Sequence, residues 1–160
     1  MIRSSGGSKT PYERLDAMGL ELPPVPAAMA NFRIYVRSGD FLFLSGQGPR
    51  DKNGILKTGT VGADFDVGEA RSHAELAGLN LLAVANEALG DLGRVKQVVK
   101  ILGLVNAIPT FVDHPEVIDG CSNLFVAVFG EAGRHARSAI GAGSLPRRIT
   151  VEVEAIFEVE

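Results

Sequence analysis

The chain has 160 residues and a mass of 16.9 kDa, the size of one ordinary domain, whose folding buries roughly 70% of the unfolded surface. An apolar share of 46% and a charged share of 22% exclude a disordered or collagen-like chain, while sixteen basic against nineteen acidic side chains give a net charge of −3, which disfavours nucleic acid as a partner. The longest apolar run, Leu124–Phe129, is far short of the ~20 residues of a membrane span, and the N-terminus has no secretory pattern, so a cytoplasmic protein without membrane contact is expected.

Residues 1–9 are rich in Ser, Gly and Lys and predict a mobile tail. Thr10, Pro11 and Glu13 have capping-box spacing with proline at the first helical position, and Gly19 supplies a stop, so residues 11–18 predict a short helix. The proline-bearing stretch LELPPVPAAMA is a connector, which makes residues 10–30 an N-terminal helix and linker ahead of a main domain at 31–160.

Residues 32–45, FRIYVRSGDFLFLS, read as a β-hairpin turning at Ser38-Gly39-Asp40, and the Gly- and Pro-bearing stretch that follows reads as a loop to about Asp66. Asp66 and Glu69 repeat the capping-box spacing ahead of a leucine-rich helical pattern that Gly90 ends, giving a long helix over 67–90. Val95 to Ile108 is β-rich and predicts a long strand. A second helix starts near His114-Pro115, carries Val117, Ile118, Cys121, Phe125, Val128 and Phe129 on one stripe, and stops at Gly130. Residues 137–142 and 149–159 predict two more strands. The order points to an antiparallel-rich α+β domain with its two main helices on one face.

On the last strand Val151, Val153, Ala155, Phe157 and Val159 face one way, towards the helices, and Glu152, Glu154, Ile156, Glu158 and Glu160 the other. Like charges in a row imply a solvated cavity or a seam between subunits. The lone Cys121 sits on an apolar helix stripe and reads as a buried structural thiol. His73, His114 and His135 lack ligand spacing, so no metal is expected.

Arg134, His135, Arg137, Arg147 and Arg148 form the one basic concentration. Arg137 opens a strand of small and apolar residues, so its charge is expected to be partly enclosed and to need an anion, and the acidic stripe from Glu152 lies on the strand expected to pair with it. A structural ion pair between Arg137 and Glu152 is one reading. A ligand-binding role is the other.

Ser45-Gly46-Gln47 after a hairpin, Arg137-Ser138 with Leu145-Pro146 eight residues on, and VEVEAI at 151–156 together resemble the Rid family, also called YjgF or endoribonuclease L-PSP, over roughly residues 30–160. The N-terminal helix and the segments NLLAVANEALGDLGRVKQVVK and FGEAGRHARSA are similar to a bacterial branch with an N-terminal extension. The resemblance implies a chorismate-mutase-like fold, a homotrimer and small-ligand clefts between subunits. It implies that Arg137 binds a substrate carboxylate, that Glu152 acts with the attacking water, and that Ala139 contributes its backbone carbonyl where the deaminase branch has cysteine. Phe32, Ser45 and Gly46 fall at substrate-lining positions, Phe32 replacing a tyrosine and losing its hydroxyl.

The chemistry these residue types suit is hydrolysis of a 2-imino acid. A guanidinium grips a carboxylate with two parallel hydrogen bonds, and a carboxylate with a main-chain carbonyl holds water beside the imine carbon. No cofactor is required for attack on a carbon already electrophilic. Three classes stay open on these residues: an enamine or imine deaminase, a non-catalytic trimer that senses a small carboxylate, and the ribonuclease of the older label. Acidic charge counts against the last, and Phe32 favours a sensor or a different substrate.

Overall fold

The computed structural model describes residues 8–160. The tail expected at 1–9 lies mostly outside them. Helix α1 (Pro11–Ala17) begins with a complete capping box, Thr10 accepting from the Glu13 amide and Glu13 accepting from the Thr10 amide. Strands β1 (Tyr35–Ser38) and β2 (Phe41–Gln47) form the hairpin, joined by Gly39 and Asp40, with Gly39 at φ 59°. The hairpin starts three residues later than predicted, so Phe32 lies in the connector.

Helix α2 (Val67–Leu89) carries the second capping box, at Asp66 and Glu69. Strand β3 (Val95–Asn106) stops two residues before its predicted end. There the chain turns to pair Val61 with Ala107, and the Val61 amide donates to the Asn106 carbonyl at 2.8 Å, which fastens the long loop over the sheet end. Helix α3 (His114–Phe129), strand β4 (Ala136–Ala142) and strand β5 (Val151–Val159) complete the fold. A one-turn 3-10 helix at Pro146–Arg148, with Arg147 and Arg148 at φ 55° and 58°, precedes the last strand, which begins two residues later than predicted.

The sheet runs β1-β2-β5-β3-β4. Three pairings are antiparallel, and β3 pairs β4 in parallel, the helix α3 supplying the crossover that a parallel pair requires. This corrects the expected pairing of Arg137's strand with β5, because β3 lies between them.

Both long helices pack on one face of the sheet. Leu81, Leu82 and Val84 of α2 and Ile118 and Phe125 of α3 are fully enclosed with Val98, Ile101 and Phe157 of the strands. Each such side chain contributes about 1.5–3 kcal/mol. The helices approach so closely that a Cβ on Gly120 would stand 2.0 Å from the Arg71 carbonyl oxygen. Cys121 is buried in this seam, as its apolar stripe predicted, and burial pushes its thiol far above the ordinary range.

The opposite sheet face is less acidic than the glutamate stripe implied. Phe41, Phe43, Val36 and Ile140 are exposed among the glutamates, and Lys96 pairs with Glu158 at 3.3 Å. Among the described residues no helix is long and apolar enough to cross a membrane.

Candidate functional site

Arg137 points to the helix face of the sheet. Its Nη1 donates to Asp119 Oδ1 at 2.8 Å and to Ser122 Oγ at 3.1 Å, both on α3, and its side chain is 22% exposed. The anion that Arg137 needs is therefore Asp119, and the ion pair with Glu152 does not form. Among the described residues no acceptor contacts Nε or Nη2, so the side-on edge of the guanidinium is unspent.

Glu152 is on the other face. It sits opposite Leu104, which sits opposite Ile140, whereas Arg137 sits opposite Ile101, three residues along. Two strand spacings and three residues of rise leave the two α-carbons on the order of 14 Å apart. One chain thus turns its candidate cation and candidate carboxylate away from each other. Burial, and then the neighbouring Glu154, hold the Glu152 carboxyl above the ordinary carboxylate range.

The β2–β5 register slips between Leu44 and Gln47, and this bulge brings the Gly46 backbone against the Glu152 side chain. Gly46 also walls a cavity of about 210 Å³ with Met29, Phe32, Leu56, Arg50 and Arg147. Phe32 is 54% exposed at its mouth. Ser45 is turned elsewhere: its hydroxyl donates to the Arg33 carbonyl at 2.6 Å and its amide to the Ile34 carbonyl at 2.9 Å, so it fastens the connector to the sheet. Ala139 lies on the edge strand β4 beside Gly103, its side chain against the core.

The structure therefore brings Phe32 and Gly46 together in one cavity and sets Gly46 against Glu152, and separately gathers Arg137 and Ala139 on β4. Asp119 and Ser122 escaped the sequence reading. Their signal was present: two polar residues three apart in the apolar pattern of α3 share one helix face. No three metal-ligating side chains converge among the described residues.

The family profile described as "YjgF/chorismate mutase-like, putative endoribonuclease" matches residues 12–155. Protein TCP17 of Trypanosoma cruzi is 42% identical over 91% of each chain. A solved structure from Shewanella oneidensis carrying the endoribonuclease label superimposes with a TM-score of 0.91, at 38% identity over 94% of this chain and 100% of the other. A 2-iminobutanoate/2-iminopropanoate deaminase of Dermatophagoides farinae is 28% identical over 88% of this chain and 95% of its own.

Proposed function

The chain belongs to the YjgF/chorismate-mutase-like family, and on that premise we propose that it hydrolyses 2-imino acids, or their enamine tautomers, to 2-oxo acids and ammonia in a cleft shared between subunits of a homotrimer. The observation that carries this reading is the half-used guanidinium of Arg137. Asp119 and Ser122 hold one nitrogen and leave the Nε–Nη2 edge to take a carboxylate with two parallel hydrogen bonds.

Glu152 supplies the other half. A carboxyl held above its ordinary range is closer to the working pH of an acid–base group. It takes a proton from water as the oxygen bonds to the carbon of the protonated imine, giving a neutral carbinolamine, and returns that proton to nitrogen. The carbinolamine hydroxyl then gives its own proton to the carboxylate as the C=O bond forms, the C–N bond breaks and ammonia leaves. The Ala139 carbonyl is proposed as a second acceptor for that water. Because Arg137 and Glu152 occupy opposite faces of one sheet, the cleft takes the arginine from one copy and the glutamate from another. The exposed Phe43, Val36 and Ile140 on the Glu152 face support its burial against other copies.

A second reading, a trimeric sensor of small carboxylates, is favoured by Phe32, which offers no hydroxyl at the cavity mouth. Both readings are tested by generating 2-iminopropanoate with an amino-acid oxidase and trapping what survives with semicarbazide. The expected result is suppression of the trapped product by the native protein, about 100-fold weaker in Glu152→Gln, with tighter binding of pyruvate by the native protein than by Arg137→Lys. Pyruvate binding without suppression would select the sensor. Neither activity nor binding would remove both.

A further inference from the structure

His135 stands immediately before β4 with each ring nitrogen engaged. Nδ1 lies 2.6 Å from the Gly133 carbonyl and Nε2 lies 2.9 Å from Ser122 Oγ, the same hydroxyl that meets Arg137 Nη1 at 3.1 Å. Chemistry fixes the direction of every bond in this chain. A carbonyl only accepts, so Nδ1 carries the hydrogen. A guanidinium only donates, so Ser122 Oγ accepts from Arg137, and its own hydrogen goes to Nε2 of a neutral imidazole. The ring is set edge-on against Phe125, with centroids 6.0 Å apart, so it has little freedom to turn.

Protonation of the ring reverses one link. Both nitrogens then donate, the Ser122 hydrogen loses its acceptor, and a second cation stands one hydroxyl away from the Arg137 charge. The charged and titratable groups around the ring are few. Arg137 faces it through Ser122, Asp119 lies beyond on α3, the buried Cys121 adjoins Ser122, and the Arg134–Glu131 pair is on the adjoining turn. Asp119, whose Oδ1 already meets Nη1, is the acceptor to which a released guanidinium would turn.

We propose that His135, acting through Ser122, is a positioning residue for Arg137: the neutral ring holds the guanidinium with its side-on edge outward, and protonation of the ring loosens that hold and weakens carboxylate binding in acid. The binding half rests on the function proposed above. Burial of the imidazole, which disfavours its charged form, keeps the hold intact at neutral pH.

The test uses the full-length protein labelled with ¹⁵N, and pyruvate as probe. Long-range proton–nitrogen spectra of the ligand-free protein at pH 7.5 should show His135 in its Nδ1–H form; an Nε2–H form overturns the relay. On lowering the pH to 5, the Arg137 Nε–H signal should move with the His135 titration in the native protein and stay still in Ser122→Ala, which leaves both partners in place. Calorimetric titration should then show pyruvate affinity falling roughly tenfold over the same range in the native protein, and a weaker, flat profile in Ser122→Ala. An Arg137 signal that ignores the His135 titration overturns the relay whatever binds. A moving signal with no pyruvate binding at any pH overturns the carboxylate reading and leaves the relay standing. Ser122→Ala that folds and keeps native affinity and slope overturns the positioning role.

Discussion

A methyl group built on Gly46 would stand 3.0 Å from both Cγ and Cδ of Glu152 and 3.1 Å from Oε1. The missing side chain at one position sets the place of the carboxyl at the other. Gly46→Ala should move the carboxyl by a few tenths of an ångström at little loss of stability, since the crowded atoms end a flexible side chain. Imine hydrolysis should fall about 10- to 100-fold, because small misplacements of an acid–base group are expensive in rate. Thermal melting alongside the trapping assay checks both halves. An unchanged rate would detach Gly46 from catalysis.

Glu154→Gln removes the second cause of the raised Glu152 carboxyl and leaves the first, burial, in place. The acid limb of the pH profile of kcat/KM should therefore shift to lower pH, with the plateau nearly unchanged. Stability follows from the sign. A folded value raised above the unfolded one stabilises at low pH, and that contribution is lost as pH rises through the folded value. Glu152→Gln should accordingly raise the melting temperature at pH 7.5 and change it little at pH 4. A Glu152→Gln protein that melts lower at pH 7.5 would contradict the burial argument.

His73 and His135 are both held below the ordinary 6.5. Burial is the largest cause in each, aided by Lys57 for His73 and by Arg137 for His135, and opposed by Glu69 and by the Gly133 carbonyl respectively. For a depressed value the unfolded chain binds the proton more tightly, so the stability is complete above about 6.5 and is lost as pH falls through the folded values. Urea unfolding at fixed protein concentration should show stability falling as pH drops below about 6.5, with a slope of at most about 1.4 kcal/mol per pH unit for each histidine. His73→Leu also leaves Thr150 Oγ1 without its 3.0 Å partner, so it should lower stability at pH 7.5 and flatten the slope. A slope unaltered in that variant would remove His73 from the account.

Gly120→Ala places a carbon on the Arg71 carbonyl oxygen, which belongs to the backbone of α2 and cannot turn aside. The α2–α3 seam must open, at a cost of about 1–3 kcal/mol or more. Chemical denaturation should show the loss. Native stability in the variant would mean that the helices separate more easily than their packing indicates.

Local features were legible in the sequence and long-range pairing was not. The capping boxes at Thr10 and Asp66 depend only on residues three apart, so they were read to the residue. The helix face of β5 followed from simple alternation. The partner of β4 did not, because only the α3 crossover decides whether it lies beside β3 or β5. The same gap hid the candidate site: Arg137 and Glu152 were read as neighbours, and Asp119, eighteen positions before the arginine, was missed. Glu152 and Gly46 were both named, yet their contact depends on a bulge that no local pattern announces.

The position of β5 has a consequence for biosynthesis. The strand that joins β2 to β3 follows both in the chain, so the β1–β2 ribbon and the β3–α3–β4 unit leave the ribosome as two half-sheets, each with an open edge. Part of the apolar face of α2, and Phe125 and Phe129 of α3, which pack on Phe157, wait uncovered over the same interval. Closure comes only when residues 151–159 slot between the halves, which makes the last strand the step that ends exposure to aggregation and to chaperones.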